Sequence, residues 1–115
     1  MDIVDPAAQG DQRDDDTGAS LSTHVLDAGA GGPRPGVRVD VFDREGAPVA
    51  AGVSDERGRI EALASGLVPG PYLITWQTGG AFVAQISVTV HLRAGLHHHI
   101  PLLSTGASAM VYLGA

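Results

Sequence analysis

The chain has 115 residues, 43% of them hydrophobic, enough for one domain with an apolar core. A formal charge of −6 excludes the basic footprint that nucleic acid or an anionic membrane surface requires, and the absence of cysteine excludes thiol catalysis, disulfides and thiolate zinc sites. With 16 glycines, 7 prolines and only 4% aromatic residues, the composition suits short strands joined by tight turns around Val, Leu, Ile and Ala.

Residues 1–19 read as a disordered acidic tail, with Asp11 and Asp14-Asp15-Asp16 and almost no apolar pattern, followed by a single domain over 20–115. The start, Met1-Asp2-Ile3-Val4-Asp5, lacks the basic and apolar regions of a secretory signal. No apolar stretch is long enough to span a bilayer, so a soluble, cytoplasmic protein is expected. Leu21 to Leu26 reads as a strand with His24 on the face opposite Val25. Asp27 to Pro35 is a loop, and Val37, Val39 and Val41 alternate with Arg38 and Asp40 as a half-buried strand. Asp43 to Gly46 is a turn, after which Pro48 to Val53 returns as the second arm of a hairpin.

Asp55-Glu56-Arg57-Gly58 is another turn, leading into a short strand, Arg59-Ile60-Glu61. Ala62 to Gly70 has no clear period, and the Pro69-Gly70-Pro71 run breaks it. Tyr72 to Trp76 is β-rich, Thr78 to Ala84 is a loop or one poor helical turn, and Ile86 to Val90 alternates again. After a turn at Arg93 to Gly95, His97 to Leu103 and Ser108 to Leu113 supply the last strands. The expected fold is an all-β antiparallel sandwich of seven to eight strands.

Histidine is concentrated where strands are expected: His24, His97, His98 and His99. Alternation places His97, His99, Pro101 and Leu103 on one face and His98, Ile100 and Leu102 on the core face. Pro101 has no N–H for a ladder, which predicts an edge, a bulge or an interrupted pairing nearby. The pattern leaves three readings open: histidines on a solvated face, a three-His zinc arrangement, and acid–base chemistry near neutral pH.

Leu21-Ser22-Thr23-His24-Val25-Leu26-Asp27 resembles the N-terminal motif of the transthyretin-like / 5-hydroxyisourate hydrolase family. Gly58-Arg59 is similar to its Asp-Gly-Arg segment, and His97-His98-His99-Ile100-Pro101-Leu102-Leu103 to its His-Tyr-His-Val-Pro-Leu-Leu strand. The three motifs occur in the family's order and cover the chain from about residue 20 onward. The resemblance implies a transthyretin-like sandwich and a homotetramer built as a dimer of dimers, with sites in the channel between dimers. It implies an enzyme that opens a cyclic amide of a small purine-derived ring, with His24, Arg59 and His99 catalytic and no metal or organic cofactor. His97, Tyr112, Leu113 and Ala115 are expected to line the substrate. Which histidine is base and which acid stays open.

The chain departs from the family at its end. The family's Tyr-Arg-Gly-Ser is here Tyr112-Leu113-Gly114-Ala115, and the tyrosine between the paired histidines is His98. The segment after Trp76 is shortened, and Ser104 to Ser108 replaces a Pro/Tyr-containing turn. Two alternatives therefore stand beside hydroxyisourate hydrolysis. One is a diverged hydrolase, isomerase or cyclase acting on a different ring, and the other a non-catalytic small-molecule-binding protein.

Overall fold

The computed structural model describes residues 17–114. These form nine strands and, among the described residues, no helix: β1 (Ala19–Asp27), β2 (Gly32–Pro33), β3 (Arg38–Phe42), β4 (Pro48–Val53), β5 (Arg59–Leu67), β6 (Gly70–Gln77), β7 (Ile86–Leu92), β8 (His97–Ser104) and β9 (Ala109–Val111). The acidic run expected as a tail lies outside the described residues. Ala19, which the sequence reading placed in that tail, is fully buried as the first residue of β1, so the strand begins ahead of the expected boundary.

One sheet has the order β4-β3-β6-β7 and is antiparallel throughout. In the other, β5 and β2 follow one another along one edge of β1, while β8 and then β9 lie on its far side. The β1–β8 ladder is parallel, running from Ser20↔His97 to Asp27↔Ser104, a departure from a wholly antiparallel sandwich. Parallel neighbours require a long crossover, and here the whole of the second sheet supplies it.

The core is what the alternation predicts. Val37, Val39 and Val41 face inward from the β3 segment, Ile74 and Trp76 from β6, Leu21 and Val25 from β1, and Ile100 and Leu102 from β8. Burying each such aliphatic side chain contributes about 1.5–3 kcal/mol. Thr23 is a fully buried polar member of this layer. Its hydroxyl donates to the Ile100 carbonyl at 2.7 Å and accepts from the Trp76 indole N–H at 3.1 Å, so β1, β8 and the opposing sheet share one satisfied contact.

Two segments differ from expectation, the Asp27–Pro35 loop and the last strand, and two that the sequence leaves open are resolved. The Asp27–Pro35 loop contains the short β2, because Asp27 folds the chain back with its carboxylate accepting from Gly29 and Ala30 N–H at 2.9 and 3.1 Å. The unreadable stretch after Glu61 continues β5 to Leu67; register shifts against β1 erase its period. Thr78 to Ala84 is a tight loop, closed by Gly79 N–H to Ala84 O at 2.8 Å, and not helical. The last strand spans only Ala109–Val111.

Candidate active site

Three strands bring polar side chains to the outer face of the five-stranded sheet. In β1, Ser20, Ser22 and His24 share the face opposite Leu21, Thr23 and Val25. The parallel register sets Ser20 beside His97, Ser22 beside His99 and His24 beside Pro101. On the other edge of β1, His24 is the direct partner of Arg59, the first residue of β5. The result is a shallow cleft of about 260 Å³ lined by Ser22, Thr23, Arg59, Glu61, His97 and His99.

The Asp55–Gly58 turn aims Arg59. The Asp55 carboxylate accepts from the Arg57 and Arg59 N–H groups at 2.8 and 2.9 Å, and chiefly the Arg59 bond holds that carboxyl below its ordinary range. Gly58 has φ +78°, and its carbonyl accepts from Val25 N–H at 2.7 Å, so the turn lies directly on β1. The turn also presents the Arg57 carbonyl to His24 Nε2 at 2.8 Å. A carbonyl only accepts, so His24 Nε2 carries a hydrogen and Nδ1 is the nitrogen left to face a partner.

His99 is half-buried, with Nδ1 2.7 Å from Ser22 Oγ. Its carbonyl accepts from Gly114 N–H at 2.7 Å, so the chain end runs back across it. Gly114 passes so close that a Cβ there would sit 2.9 Å from His99 Cδ2. Burial, and then the neighbouring His24, Arg59 and His97, holds the His99 ring below its ordinary pKa of 6.5. It is therefore neutral at pH 7. Between the depressed value and 6.5 the unfolded chain binds more protons than the folded one, so this group makes stability rise with pH across that window and level off above it. An NMR titration of the His99 ring should show its inflection below 6.5, and Arg59→Gln should move it upward by removing one repulsive charge. An inflection at or above 6.5 contradicts this electrostatic picture.

His24, Arg59 and His99 thus converge on one face, and His97 joins them. Tyr112 and Leu113 line a different space, a slot of about 650 Å³ between the open edges of β7 and β9, shared with His97, Val90, Leu96 and Val111. Ala115 lies outside the described residues. His98 is buried as expected, accepting from Arg93 N–H at 3.1 Å through Nε2. Among the described residues no three His, Asp or Glu side chains are arranged to hold a metal ion, and both ring nitrogens of His97 face serine hydroxyls. Pro101 interrupts the β8–β9 pairing: its carbonyl takes the Tyr112 N–H at 3.4 Å, and it has no N–H to return. The sequence reading missed Ser22 and Glu61, although Ser22 lies two residues before His24 and so shares its face.

A model of the HIUase/Transthyretin family matches residues 21–114. The 5-hydroxyisourate hydrolase of Salmonella dublin is 31% identical over 109 residues, covering 83% of this chain and 80% of that protein. The 5-hydroxyisourate hydrolase of Deinococcus radiodurans is 32% identical over 114 residues, covering 83% of this chain and 95% of that protein. The solved structure of Klebsiella pneumoniae 5-hydroxyisourate hydrolase is similar at a TM-score of 0.75 and 31% identity, over 84% of this chain and 99% of that one.

Proposed function

The chain belongs to the HIUase/Transthyretin family, and from that premise we propose that it is a cofactor-independent hydrolase that opens the ring of 5-hydroxyisourate. The observation that carries the reading is the register that sets Arg59 against His24 and Ser22 against His99 on one sheet face, with Ser22, Arg59 and His99 lining one cleft and His24 beside it. His99, held neutral, takes a proton from water as that water attacks the ring carbonyl. The Arg59 guanidinium holds the substrate through its planar fork and neutralises the developing oxyanion. His24 has its Nε2–H committed to the Arg57 carbonyl, so its Nδ1 accepts from the ring N–H or from the attacking water and fixes its direction. As the amide bond breaks, the proton on His99 passes to the leaving nitrogen. One water is consumed and both histidines return to their starting state.

The working form is a cytoplasmic homotetramer. In a single chain the cleft is shallow, and β7 and β9 are open sheet edges with Met110, Tyr112 and Leu113 exposed beside them. Paired edges would satisfy the open backbone groups, and apposed sheets would close the cleft to water. Light scattering at micromolar concentration is expected to give four chains, and a monomer would overturn this assembly. For the reaction, the ultraviolet decay of freshly prepared 5-hydroxyisourate should accelerate well above its spontaneous rate on adding protein. No acceleration removes the hydrolase reading.

A further inference from the structure

A serine hydroxyl stands between two of the histidine rings. Ser22 Oγ lies 2.7 Å from His99 Nδ1 and 2.9 Å from His97 Nε2. The other nitrogen of His97, Nδ1, lies 2.7 Å from Ser20 Oγ. The parallel register creates this row, because Ser20 and Ser22 are the direct neighbours of His97 and His99. His97 also lines the slot beside β7 and β9, while Ser22 is only 7% exposed, so the row leads out of the cleft toward that slot.

Each hydroxyl carries one hydrogen and each neutral imidazole one, so the row has two head-to-tail arrangements. In one, His99 Nδ1–H donates to Ser22, Ser22 donates to His97 Nε2, and His97 Nδ1–H donates to Ser20, which leaves His99 Nε2 with a bare lone pair. In the other every donor is reversed and His99 Nε2 bears the hydrogen. The first arrangement makes His99 a base toward the cleft, and the second makes it an acid.

We propose that Ser22 and His97 form a proton relay that lets His99 alternate between base and acid without holding a charge. This rests on the reading of His99 as the group that activates water. His99 Nε2 takes a proton from the attacking water. Its Nδ1–H passes to Ser22 Oγ, the Ser22 proton passes to His97 Nε2, and the His97 Nδ1 proton leaves through Ser20 to solvent. One proton enters and one leaves, and His99 is then the Nε2–H tautomer, ready to protonate the leaving nitrogen. A proton re-entering at His97 resets the row. Burial and the surrounding His24, Arg59 and His97 all disfavour a doubly protonated His99, which is the reason to export the proton to an exposed ring. Glu61 is the one carboxylate on the cleft wall.

The test compares Ser22→Ala with Ser22→Thr, which keeps the hydroxyl. Ser22→Ala should lower kcat on the order of 10- to 100-fold, part of the 10²–10⁴ that positioned proton transfer supplies, with KM changed less than about 2-fold. The dependence of kcat on D₂O fraction should be curved in the parent protein, as several protons move together, and linear in Ser22→Ala. Ser22→Thr should restore curvature and most of the rate. A kcat and a D₂O profile unchanged in Ser22→Ala would overturn the relay. Imidazole ¹⁵N shifts provide a readout independent of substrate: His99 and His97 should report mixed tautomers in the parent and one tautomer each in Ser22→Ala, and identical shifts would also overturn the proposal. If the parent protein does not hydrolyse 5-hydroxyisourate, the functional reading fails by itself and the ¹⁵N result alone decides the relay.

Discussion

Gly58→Ala is expected to destabilise the protein by about 3–5 kcal/mol and to remove activity together with stability. A Cβ at this position would lie 2.3 Å from the Val25 carbonyl oxygen and 3.1 Å from Arg34 N, and both neighbours are backbone that cannot swing aside. The residue also occupies φ +78°, where any L side chain costs about 1–2 kcal/mol. Relief requires lifting the turn from β1. That breaks the bond from Val25 N–H to the Gly58 carbonyl, 2.7 Å, and disturbs the one from Arg34 N–H to the Val25 carbonyl, 2.9 Å. Each lost bond costs about 0.5–1.5 kcal/mol. Against a total stability of roughly 5–15 kcal/mol the loss is large. The same movement withdraws Arg59 and the Arg57 carbonyl from His24, so turnover should fall even in the folded fraction. Urea unfolding and initial rates on one preparation check both. A midpoint and a rate indistinguishable from the parent would show that the turn is not held as described.

Removing His99 should produce the largest effect on chemistry alone. His99→Ala is expected to lower kcat/KM by about 10²–10⁴-fold, the usual contribution of a positioned base. Arg59→Ala should cost about 10²–10³-fold, by analogy with loss of one oxyanion donor. Arg59→Lys should recover only part of this, because the ammonium keeps the charge but not the planar fork. Neither side chain belongs to the packed core, so thermal midpoints should change little. The double variant should be barely worse than the poorer single one, since the two groups act on the same step. Steady-state rates with matched unfolding curves decide the matter; a His99→Ala enzyme within about 3-fold of the parent would remove this residue from the reaction.

Much of the sandwich is legible in single residues. The Val37, Val39, Val41 alternation and the inward set of His98, Ile100 and Leu102 are the core positions found in the structure. These strands have one wet and one dry face, so period two is written into them directly. β5 is not readable past Glu61, because bulged pairing and the run Ala62-Leu63-Ala64-Ser65-Gly66 leave little contrast between faces. The parallel neighbourhood of β1 and β8 has no local trace either, since it is set by how two whole sheets stack. For the site, His24, Arg59 and His99 were identified by resemblance to a family. Their convergence depends on a ladder between residues more than seventy positions apart, which strand patterns alone do not reveal. Ser22 carries no such signal, because a serine in a strand is usually just a surface residue; only the contact with two imidazoles distinguishes it.

The β1–β8 ladder has a consequence for how the molecule comes into being. A chain emerging from the ribosome presents β1 well before its partner β8, and the contact between Ser22 and His99 closes a separation of 77 residues. Closing so long a loop has to precede the reward from the contacts it permits, so folding should be slow for a protein of this size. Until residues near 97–104 are available, one flank of β1 has no strand to pair with, and the imidazole and hydroxyl groups of the cleft are strangers in sequence. Chemistry and tertiary assembly therefore switch on together, so that no shortened nascent species has the fold without the reaction centre, or the reaction centre without the fold.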